Sequence, residues 1–254
     1  DEYVTSGQGT ISLEIFEQLN ENVDTIVCPI GGGGIIAGVA TAAKALNPNV
    51  KIVGVQTSNI PSMKESVKNG KVTTAFNANT VADGIAVKTP GNLTFDIIKD
   101  LVDEVITVEE DEIYQAMLFL LEYQKVAAEG AGAVSTAAIW SGKYQPKKDE
   151  NVVCIISGGN VDTNTLYRVI DKGLVKCGRR FSFRTHIENK PGGLSQVTAI
   201  LNELDANILD ANMSKDKSSQ GINKLAVEIT IETFDHEHIA KIVEALTNAG
   251  FEIK

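Results

Sequence analysis

Four consecutive glycines, Gly31-Gly32-Gly33-Gly34, follow the β-branched run Thr25–Cys28 and precede a helical pattern from Ile35 to Leu46. Glycine amides carry no β-carbon to shield them and can adopt left-handed conformations, while the start of a helix adds partial positive charge. Such a loop can hold a phosphate dianion without a lysine. The plain alternative, a tight turn from strand to helix, needs only one glycine. Two other phosphate signatures fit poorly. Gly32, Gly34 and Ala37 meet the spacing G-x-G-x-x-G/A, but the next run, Lys51–Gln56, ends in Gln56-Thr57-Ser58 and not in the acidic residue that holds a ribose. No Gly-Lys-Ser/Thr follows the loop, so neither γ-phosphate nor Mg²⁺ has its usual ligands. A second glycine turn, Ser157-Gly158-Gly159-Asn160, closes the apolar run Asn151–Ile156. Ligands of open parallel sheets bind outside the carboxyl ends of the strands, so Ser157 and the tetraglycine loop can face one crevice. Ser157 as a simple turn residue or cap is the competing reading.

These loops need elements to carry them. Up to about residue 175 the sequence alternates short β-branched runs (Thr25–Cys28, Lys51–Gln56, Glu104–Val108, Asn151–Ser157) with helical stripes, the rhythm of an α/β parallel sheet covered by helices. Val152-Val153-Cys154-Ile155-Ile156 predicts a strand buried on both faces. Ile11, Ile15, Phe16 and Leu19 share one helical face, as do Ile113, Met117, Leu120 and Leu121, and Leu166, Val169 and Ile170. From Arg179 the order becomes strand (Phe181–Ile187), helix (Leu194–Leu204), strand (Ala206–Ser214), strand (Asn223–Glu232), helix (His236–Ala249) and a last strand from Phe251. That βαββαβ order predicts a ferredoxin-like sheet with both helices on one face. The change falls within Lys172–Gly178, giving expected domains 1–175 and 176–254.

Composition narrows the function classes. The 254 residues are 43% hydrophobic and 22% charged, an ordinary globular mixture. A net charge of −10 argues against nucleic acid or an anionic membrane surface as partner. Three cysteines, Cys28, Cys154 and Cys177, form no C-x-x-C pair, which fits a reducing cytoplasm and gives no thiolate zinc site. The longest uncharged run, Thr25–Ala43, holds Pro29 and five glycines and reads as strand, loop and helix, not as a membrane span. No basic segment or apolar signal core opens the chain, and it lacks an initiator Met, which suggests a trimmed piece.

The first 170 residues or so resemble the fold type II pyridoxal phosphate enzymes, and among them the threonine dehydratases, also called threonine ammonia-lyases. The resemblance rests on Gly7-Gln8-Gly9-Thr10, Pro29-Ile30-Gly31-Gly32-Gly33-Gly34, Val81-Ala82-Asp83-Gly84-Ile85-Ala86-Val87, Ala128-Glu129-Gly130-Ala131-Gly132-Ala133 and Ser157-Gly158-Gly159-Asn160. It implies that the Gly31–Gly34 amides hold the phosphate of pyridoxal 5'-phosphate. It also implies that Ser157, followed by Gly158, meets the pyridine nitrogen, and that Glu129 lies near the ring. A neutral hydroxyl there makes the ring a milder electron sink, suited to loss of a β-hydroxyl. The alternative for Glu129 is a charge at the start of a helix. One departure matters. The family's Schiff-base lysine sits in an S-F-K-x-R-G stretch upstream of the glycine loop, and no such stretch occurs here. No catalytic residue beyond Glu129 is therefore expected in this chain, which reads as a C-terminal portion, inactive alone. Lys44, well along the helix after the loop, is a poor substitute. Serine racemase relatives carry metal-binding carboxylates where this chain has Gln56 and Ser62, so no divalent site is expected there. His236-Glu237-His238 does not share a helix face and reads as a helix start at Asp235.

Arg179–Lys254 resembles an ACT domain, an amino-acid-sensing unit, through Glu188-Asn189-Lys190-Pro191-Gly192-Gly193-Leu194. Pro191 stiffens the turn and Gly192 and Gly193 expose amides before a helix, a fit for an amino acid's carboxylate. Asn189, Pro191, Gly192, Gly193, Leu194 and Asn207 are the expected effector contacts, with turn chemistry as the competing reading. By resemblance such domains pair, placing the effector between two copies, and isoleucine or valine would be the effector. The reading is a cytoplasmic, homo-oligomeric (dimer or tetramer) threonine ammonia-lyase with pyridoxal phosphate and no metal, controlled by an amino acid. The alternatives are a serine dehydratase or racemase on the same frame, and a non-catalytic amino-acid-sensing fragment.

Overall fold

A computed structural model describes residues 1–76, 79–214 and 223–254. The chain divides into two compact units, Asp1–Ile170 and Asp171–Lys254.

The first unit runs α1 (Glu2–Gln8), α2 (Thr10–Gln18), β1 (Thr25–Pro29), α3 (Gly34–Leu46), β2 (Lys51–Thr57), α4 (Ser62–Asn69), a single 3₁₀ turn (Asp83–Ile85), α5 (Asn92–Leu101), β3 (Glu104–Val108), α6 (Glu110–Phe119), a π turn (Leu120–Gln124), α7 (Gly130–Trp140), β4 (Val152–Cys154) and α8 (Thr163–Lys176), in which the division between units falls. The four strands are parallel, in the order β3-β2-β1-β4. Successive side chains of a strand face opposite ways, so each strand feeds two cores. Val27, Val53 and Val55 pack with Ile113, Met117, Val134 and Ala137 on the α6–α7 side. Ile26, Cys28 and Ile52 pack with Phe16, Ile36, Val39, Phe95 and Ile98 on the α2–α3–α5 side.

Three details differ from the sequence expectation. The strand expected over Asn151–Ser157 shortens to β4, whose residues are only half-buried, and Ile156 is exposed. β4 pairs on one side only, with β1, so its outer edge has no neighbour among the described residues. Leu19 is 43% exposed because α2 ends at Gln18 and the chain turns away. Beyond Phe119 the helix widens into the π turn and closes on Lys125 in a left-handed conformation (φ 59°), which leaves Leu120 buried and Leu121 only partly so.

Glycine contacts allow α1 to lie against α3. A β-carbon at Gly38 would collide with the Thr5 carbonyl and stand 2.8 Å from Gln8 Cβ. α4 is capped from outside its own segment: Gln56, fully buried, accepts from the Met63 and Lys64 amides (3.0 and 2.9 Å) and donates to Ile30 O (3.3 Å). Ser62 Oγ donates to Val87 O (2.6 Å). Both residues thus serve the fold.

The second unit adds β5 (Arg180–Glu188), α9 (Gly193–Glu203), β6 (Asn207–Ser214), β7 (Lys224–Glu232) and α10 (His236–Asn248). Its sheet is antiparallel in the order β5-β7-β6. Phe183, Ile187, Val227, Ile229 and Ile231 form one core with Val197, Leu201, Ile242 and Leu246, so α9 and α10 cover the same face. The expected last strand is not formed as a regular element. Phe251–Lys254 instead makes one reciprocal pair with β5, Lys254 N to Arg184 O (3.0 Å) and Arg184 N to Lys254 O (2.9 Å). Asp235 caps α10, accepting from the His238 amide (2.8 Å). The buried His238 ring accepts from the Phe234 amide at Nδ1 (3.1 Å), which leaves Nε2 to donate to Leu204 O (2.6 Å).

Candidate functional site

The tetraglycine loop leaves β1 and turns into α3. Gly33 makes the turn in a left-handed conformation (φ 93°), where a β-carbon would also stand 2.8 Å from Ile98 Cδ1 and 2.9 Å from Thr94 Cβ. Thr94 fixes the loop from behind, donating to Gly32 O (2.6 Å). The other face is clear: a β-carbon at Gly34 would meet nothing within 4 Å, and one at Gly32 only Val87, at 4.0 Å. The first helical bond runs from Ala37 N to Gly33 O (3.0 Å), so the amides before it have no partner inside the helix. They open on a cavity of about 320 Å³ lined by the four glycines, Gln8, Ile35, Gly84 and Ile85. Lys44 is near the far end of α3, paired with Asp103 (2.9 Å).

β4 lies beside β1, with Val27 opposite Cys154 and Ile155 N donating to Val27 O (2.9 Å). Continued by two residues, that register sets Ile156 beside Pro29. The tetraglycine loop and Ser157 therefore leave neighbouring strands at the same end of the sheet. Ser157 is exposed.

Glu129 sits between these loops. It precedes α7 as N-cap without a side-chain capping bond. Its amide donates to Gly158 O (3.1 Å), and its carboxylate fills the space that a β-carbon at Gly158 would need. A β-carbon at Gly84 would stand 3.3 Å from Glu129 Oε1. Gly84 thus joins the cavity of the glycine loop to Glu129, and Glu129 joins it to Gly158. The Val81–Val87 stretch carries the resemblance, yet Gly84's place in the wall was not apparent from it. Thr94 had no local signal, since it meets Gly32 only through the fold.

The arrangement fits the phosphate of a small cofactor. Backbone amides stand at a helix start and glycines leave the approach unfilled. Among the described residues no cluster of His, Cys, Asp and Glu could hold a metal ion.

In the second unit the turn after β5 places Gly192 in a left-handed conformation (φ 87°) with open space at its β-carbon position. Asn189, Pro191 and Gly192 are exposed, Leu194 is half-buried, and the buried Gly193 amide donates to Lys190 O (3.1 Å). A β-carbon at Gly193 would collide with Glu188 O. Asn207 lies elsewhere. It donates to Glu232 (2.7 Å) and borders a groove of about 540 Å³ with Ser195, Thr198 and Asn202. Glu232 pairs with both Asn207 and Arg180, whereas the Glu188 end of β5 pairs with Lys224. Asn207 and the 189–194 turn are therefore at opposite ends of the sheet, roughly 26 Å apart along the strands.

Residues 1–158 match the family of pyridoxal-phosphate dependent enzymes, and residues 181–251 match the ACT domain. The whole chain is 45% identical to the L-threonine ammonia-lyase of Thermotoga maritima, 63% of which it covers. The processed form of threonine deaminase isoform 2 from Solanum lycopersicum superposes on 68% of this chain and 50% of its own, with a TM-score of 0.64 and 38% identity. Maize serine racemase does so on 68% of this chain and 53% of its own, with a TM-score of 0.59 and 41% identity. The chain spans about three fifths of the length of the curated relatives it matches. No described helix is long and apolar enough to cross a membrane.

Proposed function

The chain belongs to the pyridoxal-phosphate dependent enzymes and carries an ACT domain, and on that premise we propose that the protein containing it is a threonine ammonia-lyase. It would convert L-threonine to 2-oxobutanoate and ammonia under control of an amino acid bound at the ACT domain. The observation that carries this reading is the opening of the Gly31–Gly34 amides onto a cavity whose wall, at Gly84, adjoins Glu129, which in turn packs against Gly158.

When bound, pyridoxal phosphate supplies an electron sink for charge that develops on the amino acid's α-carbon. The chain's own residues hold and orient it. Gly31–Gly34 and the start of α3 bind the phosphate through backbone amides and the helix dipole. Ser157 would offer a neutral hydroxyl to the ring nitrogen, and Glu129, packed against Gly158, would border the ring. The lysine that anchors the cofactor belongs, in this reading, to a segment outside these residues, so the chain alone is inactive.

Control would come from differential affinity for two arrangements of paired ACT domains, with a coupling of about 1–3 kcal/mol. Among the described residues β6 is an edge strand, bearing Leu209 (42% exposed) and Met213 (59% exposed). Antiparallel pairing of two β6 edges in full overlap would set Asn207 of a second copy opposite Ser214. Ser214 is level with His186, since both pair with Ala226. Asn207 of one copy would then lie level with the β5 end that feeds the 189–194 turn of the other, three strands away or about 14 Å across the sheet. A homo-oligomer in the cytoplasm fits this reading.

The test is an assay of the full-length protein with L-threonine and L-serine, followed by calorimetric titration with isoleucine and valine. Preferential ammonia release from threonine supports the reading. Dominant serine turnover points to the serine dehydratase or racemase frame, and effector binding without cofactor binding points to a sensor.

A further inference from the structure

Thr80-Val81-Ala82-Asp83-Gly84-Ile85 enters the cavity wall with its last two residues, Gly84 and Ile85, yet its regular structure is one 3₁₀ turn. Its position must therefore be set from outside. At one end, three donors converge on Glu110, the first residue of α6. Glu110 Oε1 accepts from Thr57 Oγ1 (2.9 Å) and Thr80 Oγ1 (2.6 Å), and Oε2 accepts from the Val81 amide (2.8 Å). Thr57 ends β2 and is fully buried, a rigid base for the cluster. Thr80 Oγ1 also accepts from the Ala82 amide (3.1 Å). At the other end the segment meets the site. The Val81 carbonyl lies where a β-carbon at Gly130 would be, Gly84 lies under Glu129, and Ile85 Cα is 3.0 Å from a β-carbon position at Gly31.

An acid in the first turn of a helix is ordinary, because it complements the helix dipole. That accounts for a charge at 110 but not for both oxygens being turned onto the 80–85 segment. A carboxylate offers acceptors on both oxygens and no donor. An amide would present its NH₂ to either the Val81 N–H or the two threonine hydroxyls, one of which already accepts from Ala82.

We propose that Glu110 is a positioning residue for the cofactor cavity: it never touches the ligand but fixes the wall that joins Gly31 to Glu129. This rests on the cofactor reading above. The test uses the full-length protein and its variants Glu110→Gln and Thr80→Val. It measures the dissociation constant for pyridoxal phosphate, the visible circular dichroism of the bound cofactor at saturation, the thermal midpoint of the apoprotein and hydrogen exchange at the Val81 amide. Glu110→Gln is expected to raise the dissociation constant about tenfold, alter the circular dichroism and speed Val81 exchange. Thr80→Val, which keeps Glu110 bonded to Thr57 and Val81, should shift the same readouts in the same direction by less. A change confined to the thermal midpoint, with dissociation constant and circular dichroism at wild-type values in both variants, overturns the proposal. Absence of cofactor binding by the wild type overturns the cofactor reading itself and is told apart by that arm alone. Should Glu110→Gln fail to fold, unaltered cofactor readouts in Thr80→Val overturn the proposal.

Discussion

Glu129 and Gly158 meet twice: the Glu129 amide donates to the Gly158 carbonyl (3.1 Å), and the Glu129 carboxylate lies in the space of the missing Gly158 β-carbon. Gly132 meets the same peptide, since a β-carbon there would collide with Gly158 O. A side-chain end can swing away, whereas a main-chain carbonyl cannot.

Gly158→Ala and Gly132→Ala should therefore behave differently. Gly158→Ala displaces the Glu129 carboxylate and should cost less than about 1 kcal/mol of stability while changing the spectrum of bound cofactor. Gly132→Ala forces the backbone apart and should cost about 1–3 kcal/mol. Urea unfolding of both variants checks this, and equal costs would contradict it.

The glycine loop yields a similar contrast. Gly33→Ala imposes a β-carbon on a left-handed residue and drives it against Ile98 and Thr94. A loss of about 1–3 kcal/mol is expected. Gly34→Ala meets nothing and should leave the thermal midpoint unchanged or slightly raised, since alanine favours the helix.

Thiol reactivity should follow burial. Cys28 is fully buried, and burial pushes its thiol far above the ordinary range, while burial pushes Cys154 up to about 11. At pH 8 in the native state a disulfide reagent should leave Cys28 unlabelled and reach Cys154 slowly, because the thiolate is the reactive form. Unfolding in denaturant should release both. Rapid native labelling of Cys28 would contradict the packing of β1.

Acid stability should depend on Glu150. Burial raises its carboxyl, but hydrogen bonds from Thr25 (2.6 Å), Tyr144 (2.5 Å) and the Lys147 amide (2.6 Å) outweigh that and hold it below the usual carboxylate value. A lowered folded value means stability present above the unfolded pKa of about 4.3 and lost as pH falls through the folded value. Glu150→Gln should therefore flatten the acid limb of the stability curve below about pH 4.3. The same slope in both proteins would contradict the network.

What could be read from the sequence was what local pattern determines. The runs that became β1, β2 and β3, the glycine loop ahead of α3 and the Asp235 cap of α10 follow from neighbouring residues alone. What could not be read depends on distant partners. Gln56 caps α4, Thr94 reaches Gly32 across 62 residues of chain, and Glu110 ties down Thr80 and Val81. The half-burial of β4 follows from its place at the sheet edge among the described residues, which an apolar run cannot encode. The opposite placement of Asn207 and the 189–194 turn likewise emerges only from strand register.

The central claim is that the phosphate of pyridoxal phosphate sits on the Gly31–Gly34 amides. Its most direct test is the dissociation constant of pyridoxal phosphate for the full-length protein and its Gly34→Val variant, each with its thermal midpoint. A β-carbon at Gly34 meets nothing within 4 Å, so an unchanged midpoint and an affinity lowered about tenfold or more are expected. Wild-type affinity in a folded Gly34→Val protein would contradict it.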